Sequence, residues 1–236
     1  TGQSVNQAFV NMASRVDFCQ IFQTAYDLGV TQNGEVADLF PANILGTSST
    51  NPLEVAGAFA AIANSGNYCK PNAILSVTDR DENTLKEYTP ECSQIIPETA
   101  AQQTATTLTQ AVGRYYTSTQ IADGRQFAGK SGTTDNNSNT WMSGFTPSLA
   151  TSAWVGHANA STQPVQDVTI NGVYYAQLYG ETFVGRTIWA PYMSAVLAGT
   201  PIEPMPMVSI GSPAPQPRTQ QPAAQTTEQY EEEDSE

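Results

Sequence analysis

Positive charge is scarce in this chain. Nine lysines and arginines stand against 22 aspartates and glutamates, a net charge of -13. Such an acidic chain repels a phosphate backbone, so no nucleic-acid partner is expected. Histidine is scarcer still. His157 is the only one, and Cys19, Cys69 and Cys92 match no zinc spacing, so no metal site is expected. A lone histidine at a strand end also lacks the partners a catalytic triad needs. No apolar run approaches the roughly 18 residues of a membrane helix. No Met, basic segment or apolar leader opens the chain, and the start at Thr1 reads as a cut inside a longer polypeptide.

What is present is enough for one folded body. The chain has 236 residues, 39% of them hydrophobic. Val5 to Ser14 reads as a helix, with Phe9, Met12, Ala13 and Val16 at helical spacing. Asp17 reads as the cap of a second helix that carries Ile21, Phe22, Ala25 and Leu28 on one face and stops at Gly29. Asn51-Pro52-Leu53-Glu54 combines a cap, a first-turn proline and an early acid, predicting a helix with Leu53, Ala56, Phe59, Ala60 and Ala63 as its apolar stripe. Ile74–Thr78 and Leu85–Tyr88 flank a turn and read as a small exposed hairpin. Pro97 to Val112 is helical, with Ala101, Ala105, Leu108 and Val112 inward.

The period then changes to two. Phe127–Thr133, Thr140–Phe145 and Ala150–Val155 read as three consecutive antiparallel strands. Asn171-Gly172 marks a further hairpin, and Ile188 to Leu197 a closing helix. Helices, then an antiparallel sheet, then a helix is an α+β order. Cys69 and Cys92 bracket the exposed hairpin, which suits a disulfide across a strand pair in an oxidising compartment. Three reduced, buried thiols are the alternative. Cys19, among apolar neighbours in a helix, reads as a buried thiol in either case. From about Pro206 the composition turns to proline, glutamine and glutamate and offers nothing to bury. Residues 1–205 are therefore expected to be the folded body and 206–236 a disordered acidic tail.

Gly129-Lys130-Ser131-Gly132-Thr133-Thr134 is the most informative stretch. A lysine in a strand supplies fixed positive charge. Ser131 and Thr133 can hydrogen-bond a carboxylate, and Gly132 lets a ligand backbone approach. The run from Gly124 through Ser131 also satisfies the phosphate-binding pattern G-x-x-x-x-G-K-[ST]. That pattern needs a buried strand before it and a helix after it. Gln120–Gly124 is not such a strand, and Asp135-Asn-Asn-Ser-Asn139 is a poor helix start, so the match is set aside and no nucleotide cofactor is expected. Ser4-Val5-Asn6 is a possible S-x-N motif; the same tripeptide pattern at Ser49 and Ser65 reads as helix caps.

Phe127-Ala-Gly-Lys130-Ser131-Gly132-Thr133-Thr134, the segment Asn139-Thr-Trp141-Met-Ser-Gly144-Phe145-Thr146-Pro147 and Trp154-Val155-Gly156 together resemble penicillin-binding proteins, most of all the bifunctional class A enzymes. Asn51–Gly66 and Ser4-Val5-Asn6 extend the likeness over roughly residues 3–200. The family signature is S-x-x-K, S-x-N and K-[TS]-G. Here the first element is missing: the residues three before Lys70, Lys86 and Lys130 are Asn67, Asn83 and Phe127. The resemblance implies a β-lactamase/transpeptidase-like fold and a peptidoglycan D,D-transpeptidase, with the nucleophilic serine on an upstream segment. It implies Ser4 and Lys130 as catalytic residues, and Asn6, Ser131, Gly132, Thr133 and Thr134 as substrate-binding ones. The ligands implied are D-Ala-D-Ala stem peptides and β-lactams, at the outer face of the bacterial membrane through a missing anchor. A non-catalytic β-lactam sensor, a D,D-carboxypeptidase or a β-lactamase of the same fold are the competing readings.

Overall fold

The computed structural model describes residues 1–158 and 162–211. Helices α1 (Asn6–Ala13), α2 (Phe18–Asp27), α3 (Pro52–Ala63) and α4 (Glu98–Tyr115) come first, with a 3-10 turn at Pro41–Leu45. The strand pair β1 (Asn67–Cys69) and β4 (Cys92–Gln94) encloses the hairpin β2 (Ser76–Thr78) and β3 (Thr84–Glu87). The central sheet is β5 (Ala128–Thr133), β6 (Asn139–Thr146) and β7 (Leu149–Gly156), antiparallel in that order. A hairpin of β8 (Gln166–Ile170) and β9 (Val173–Gln177), a π-helical segment (Gly180–Trp189) and α5 (Ala190–Val196) close the body.

Local sequence explains most of these boundaries. The Asp17 carboxylate accepts from the Cys19 and Gln20 amides, and the Asn51 side chain accepts from the Glu54 amide, so both helices begin on satisfied donors. Asn171 and Gly172 both take positive φ, 51° and 78°, the primed turn that matches strand twist. The strands of the central sheet are joined by tight turns.

Three expectations need correction. The stripe expected on α3 is displaced: Ala58 and Ala61 are buried, whereas Leu53 is 64% exposed. That helix is apolar on nearly every side, so periodicity could not choose its inner face. The closing helix begins at Gly180, not near Ile188. Its first turns are π-helical and escape a 3.6-residue pattern. The switch to α-helix falls beside Pro191, whose ring would clash with the carbonyl four residues back in a continuous α-helix. Cys19 is an exposed free thiol, on the outer side of α2.

The two faces of the central sheet have different covers. Ala128 and Phe145 pack with Phe59 of α3 and with Ala105 and Leu108 of α4. On the opposite face Met142, Phe127, Phe183, Val184, Trp189 and Met193 form the larger core. Met205 is also buried, against the first cluster, and the Val208 amide donates to Thr106 Oγ1 at 3.0 Å. Residues 206–208 thus lie against α4, on the tail side of the expected boundary. The acidic remainder of the tail, from residue 212, falls outside the described residues.

Candidate active site

Strand β5 is an edge strand, hydrogen-bonded to β6 alone. Which of its backbone groups face outward follows from two bonds. The Thr134 amide donates inward to Asn139 O at 2.9 Å, whereas the Ser131 amide donates away from the sheet, to the Tyr116 hydroxyl at 2.9 Å. Alternation along an antiparallel strand then turns the Thr133 N–H outward as well. The strand therefore offers a row of backbone donors and acceptors along one open edge.

Side chains alternate in the other sense. Lys130 and Gly132 share the α3 face of the sheet, in register with Ser143 and Trp141; Ser131 and Thr133 share the opposite face, in register with Met142 and Thr140. The expected polar rail is therefore split between two faces. The Lys130 ammonium bridges the split at the edge by donating to the Ser131 carbonyl. It also donates to Ser4 Oγ at 2.5 Å, a contact between residues 126 apart in the chain.

Ser4 sits in a turn closed by its own amide on the Thr1 carbonyl, 3.1 Å, with φ at 51°. A left-handed conformation in a non-glycine residue costs on the order of 1 kcal/mol or more and persists where its surroundings hold it. Here it sets the hydroxyl against Lys130. Because Ser4 Oγ accepts from an ammonium, its own proton remains to be donated elsewhere. Asn6 is exposed in the first turn of α1, two residues on. Thr133 Oγ1 accepts from the Gly180 amide at 3.1 Å. Gly180 lies so close to the sheet that a Cβ there would stand 2.3 Å from the Trp141 carbonyl oxygen and 2.6 Å from that of Gly132, so only glycine fits. Thr134 turns away from this edge: its hydroxyl accepts the Asn139 amide and bonds Ser138 Oγ, each at 2.9 Å, and it organises the β5–β6 turn.

The structure thus brings Ser4, Lys130, Ser131 and Thr133 to one strand edge, with Asn6 nearby in sequence and Gly132 between the hydroxyls. It also brings in groups that no motif announces. Tyr116 is buried at the end of α4 and bonds both the amide and the hydroxyl of Ser131. Ser118 donates to Glu181 Oε1 at 2.5 Å and Thr119 donates to the Glu181 carbonyl at 3.2 Å, tying the loop after α4 to the π-helical segment. A tyrosine just past a helix end carries no sequence signal of its own.

The phosphate-loop match has a structural explanation. Arg125, inside that pattern, is buried and donates to the carbonyls of Leu197 and Thr200, each at 3.1 Å, where the closing helix ends. It also binds Asp123, and this partner holds the Asp123 carboxyl below the usual range. No helix starts at Ser131, where the pattern requires one; β5 runs on to Thr133 and only a three-residue 3-10 turn, Asp135–Asn137, follows it.

A family model for the penicillin binding protein transpeptidase domain matches residues 2–172. The chain belongs to that family. Penicillin-binding protein 2D of Bacillus subtilis is 34% identical over 190 residues, which cover 77% of this chain and 25% of the relative. Penicillin-binding protein 1B of Escherichia coli is 33% identical over 192 residues, covering 76% and 21%. The chain thus spans about a quarter of the length of these class A penicillin-binding proteins. Among solved structures, the PonA1 protein from Mycobacterium tuberculosis in complex with penicillin V aligns with a TM-score of 0.66 and 28% identity, over 78% of this chain and 51% of that one. Class A relatives, a transpeptidase-like fold and an α+β layering therefore agree.

Proposed function

We propose that this chain supplies the S-x-N and K-[TS]-G side of a peptidoglycan D,D-transpeptidase, a serine acyltransferase acting on stem peptides that end in D-Ala-D-Ala. The observation that carries the reading is the 2.5 Å bond from Lys130 Nζ to Ser4 Oγ, beside a strand edge with the Thr133 N–H facing outward. The contact joins two motifs 126 residues apart in the chain, which supports their acting together. A segment bearing S-x-x-K, outside this chain, would supply the nucleophile.

In that reaction the serine hydroxyl attacks the carbonyl between the two D-alanines and forms an ester as the terminal D-Ala leaves. Ser4 relays the proton of the attacking hydroxyl to the leaving amine, a general-acid role, and Lys130 keeps the Ser4 hydroxyl oriented by occupying an oxygen lone pair. The Thr133 N–H, with the serine's own amide, stabilises the oxyanion. Ser131 and Thr133 bind the terminal carboxylate, Asn6 the substrate amide, and Gly132 keeps the strand accessible. An amine from a second stem then takes the acyl group. β-Lactams present the same carbonyl and carboxylate, and PonA1 of Mycobacterium tuberculosis, 28% identical, has been solved with penicillin V. This activity places the site outside the bacterial membrane, where the Cys69–Cys92 bond is stable.

The test is covalent labelling. A fluorescent penicillin on a denaturing gel should leave the isolated chain unlabelled and label a polypeptide that joins it to the S-x-x-K segment. A labelled isolated chain would place the nucleophile within these residues and overturn the assignment.

A further inference from the structure

The strand's two hydroxyls do not have equal freedom to donate and accept. Thr133 Oγ1 accepts the Gly180 N–H at 3.1 Å. One lone pair is thereby occupied, and the threonine proton is directed elsewhere. Ser131 is governed by Tyr116. The Ser131 amide donates to the Tyr116 oxygen at 2.9 Å, and the two hydroxyl oxygens lie 2.9 Å apart. Either oxygen could donate in the second bond. The phenol is the better donor of the two, because the ring draws on its lone pairs, and its oxygen already accepts once from the amide. The Tyr116 proton therefore goes to Ser131 Oγ, and the Ser131 proton is left pointing outward.

We propose that Tyr116 is a positioning residue that sets Ser131 as a hydrogen-bond donor, so that this subsite selects an anionic carboxylate over a neutral ester of the same shape. Tyr116 is buried and unlike Ser131 has no direct access to a ligand; it acts through the serine. The phenol is itself held in place. It lies at the end of α4, and the following Ser118 and Thr119 are tied to Glu181, next to the Gly180 that holds Thr133. One clamp thus sets the polarity of both hydroxyls. With the Ser131 and Thr133 hydroxyl protons left to point outward beside the Lys130 ammonium, the side chains at this edge offer donors to an incoming group. A carboxylate accepts from all of them, whereas an ester loses the charge that makes such bonds strong.

The inference rests on the reading of β5 as a carboxylate-binding strand, and the experiment separates the two. Labelled 236-residue chain is titrated with N-acetyl-D-alanine and, separately, with its methyl ester, following the Ser131 and Thr133 amide signals. The parent chain should bind the acid and discriminate against the ester. Tyr116→Phe should weaken acid binding about tenfold, as expected for one bond to a charged group, and leave the ester almost unchanged. In the Ser131→Ala background the same change should have little further effect on the acid. Failure of the parent chain to discriminate acid from ester overturns both readings. Normal discrimination in Tyr116→Phe overturns the role of Tyr116 alone, as does an equal loss for acid and ester, which marks a merely structural tyrosine.

Discussion

At the scale of single residues, rate and stability should separate at Lys130. Its ammonium is spent on Ser4 Oγ and one carbonyl at the strand edge, and no carboxylate pairs with it among the described contacts. In the protein completed with its S-x-x-K segment, Lys130→Ala should lower β-lactam acylation by at least about 100-fold, the usual cost of losing one preorganised group in such a site. Its melting temperature should fall little, since substitutions away from packed cores cost about 0.5 kcal/mol. Lys130→Arg should not rescue the rate, because a planar fork cannot replace a compact point charge between Ser4 and the strand. Acylation kinetics beside thermal melting decide this; normal acylation by both variants would make the lysine a bystander. The lysine, the glycine and the hydroxyls of this strand are legible in the sequence because they form one short motif. The partition of Lys130 and Ser131 to opposite faces also follows from strand alternation. The Tyr116 and Gly180 supports do not, because they come from elements about 15 and 47 residues away and reach the strand only through folding.

At the scale of elements, Glu54 joins the two ends of the loop between α2 and α3. Its carboxylate accepts from the Thr31 amide and hydroxyl, each at 3.0 Å, and from the Thr50 hydroxyl at 2.8 Å. Partial burial pushes its pKa up, but these bonds outweigh burial and hold it below the usual value of 4.5. A carboxyl lowered on folding contributes stability above its unfolded value, and the contribution is lost as pH falls through the folded value. Amides of residues 31–50 should therefore lose exchange protection below about pH 4.5, and Glu54→Gln should abolish that pH dependence. An unchanged acid profile in the glutamine variant would remove Glu54 as its source. The disulfide acts on a different element. Cys69 and Cys92 face each other across β1 and β4 and close off the exposed β2–β3 hairpin. Reduction should speed amide exchange in that hairpin and leave β5–β7 unchanged; a loss of protection in the central sheet would show that the bond supports the whole body. Helix caps and the alternating strands were readable because they are local. The inner face of α3 and the π-helical start of the last helix were not, because one depends on neighbours and the other on an uncommon hydrogen-bond period.

For the molecule as a whole, the folded body continues past the point where its composition thins. Met205 fills a cluster with Ala105, Leu108, Ala128 and Phe145, so Met205→Ala should cost about 2–4 kcal/mol in denaturant unfolding. Removing residues 212–236 should leave that stability unchanged, although it takes away about five of the thirteen net negative charges. A large loss on that truncation would mean that the acidic stretch packs against the body. The open edge of β5 has one more consequence. A strand that can receive a peptide can equally receive the same strand of another copy, and exposed edges are where proteins aggregate. Lys130 then has a second duty, as a charge that two like edges cannot both bring together. Solutions of Lys130→Ala should turn cloudy at lower protein concentration than the parent, and equal solubility of the two would show that this charge does not guard the edge.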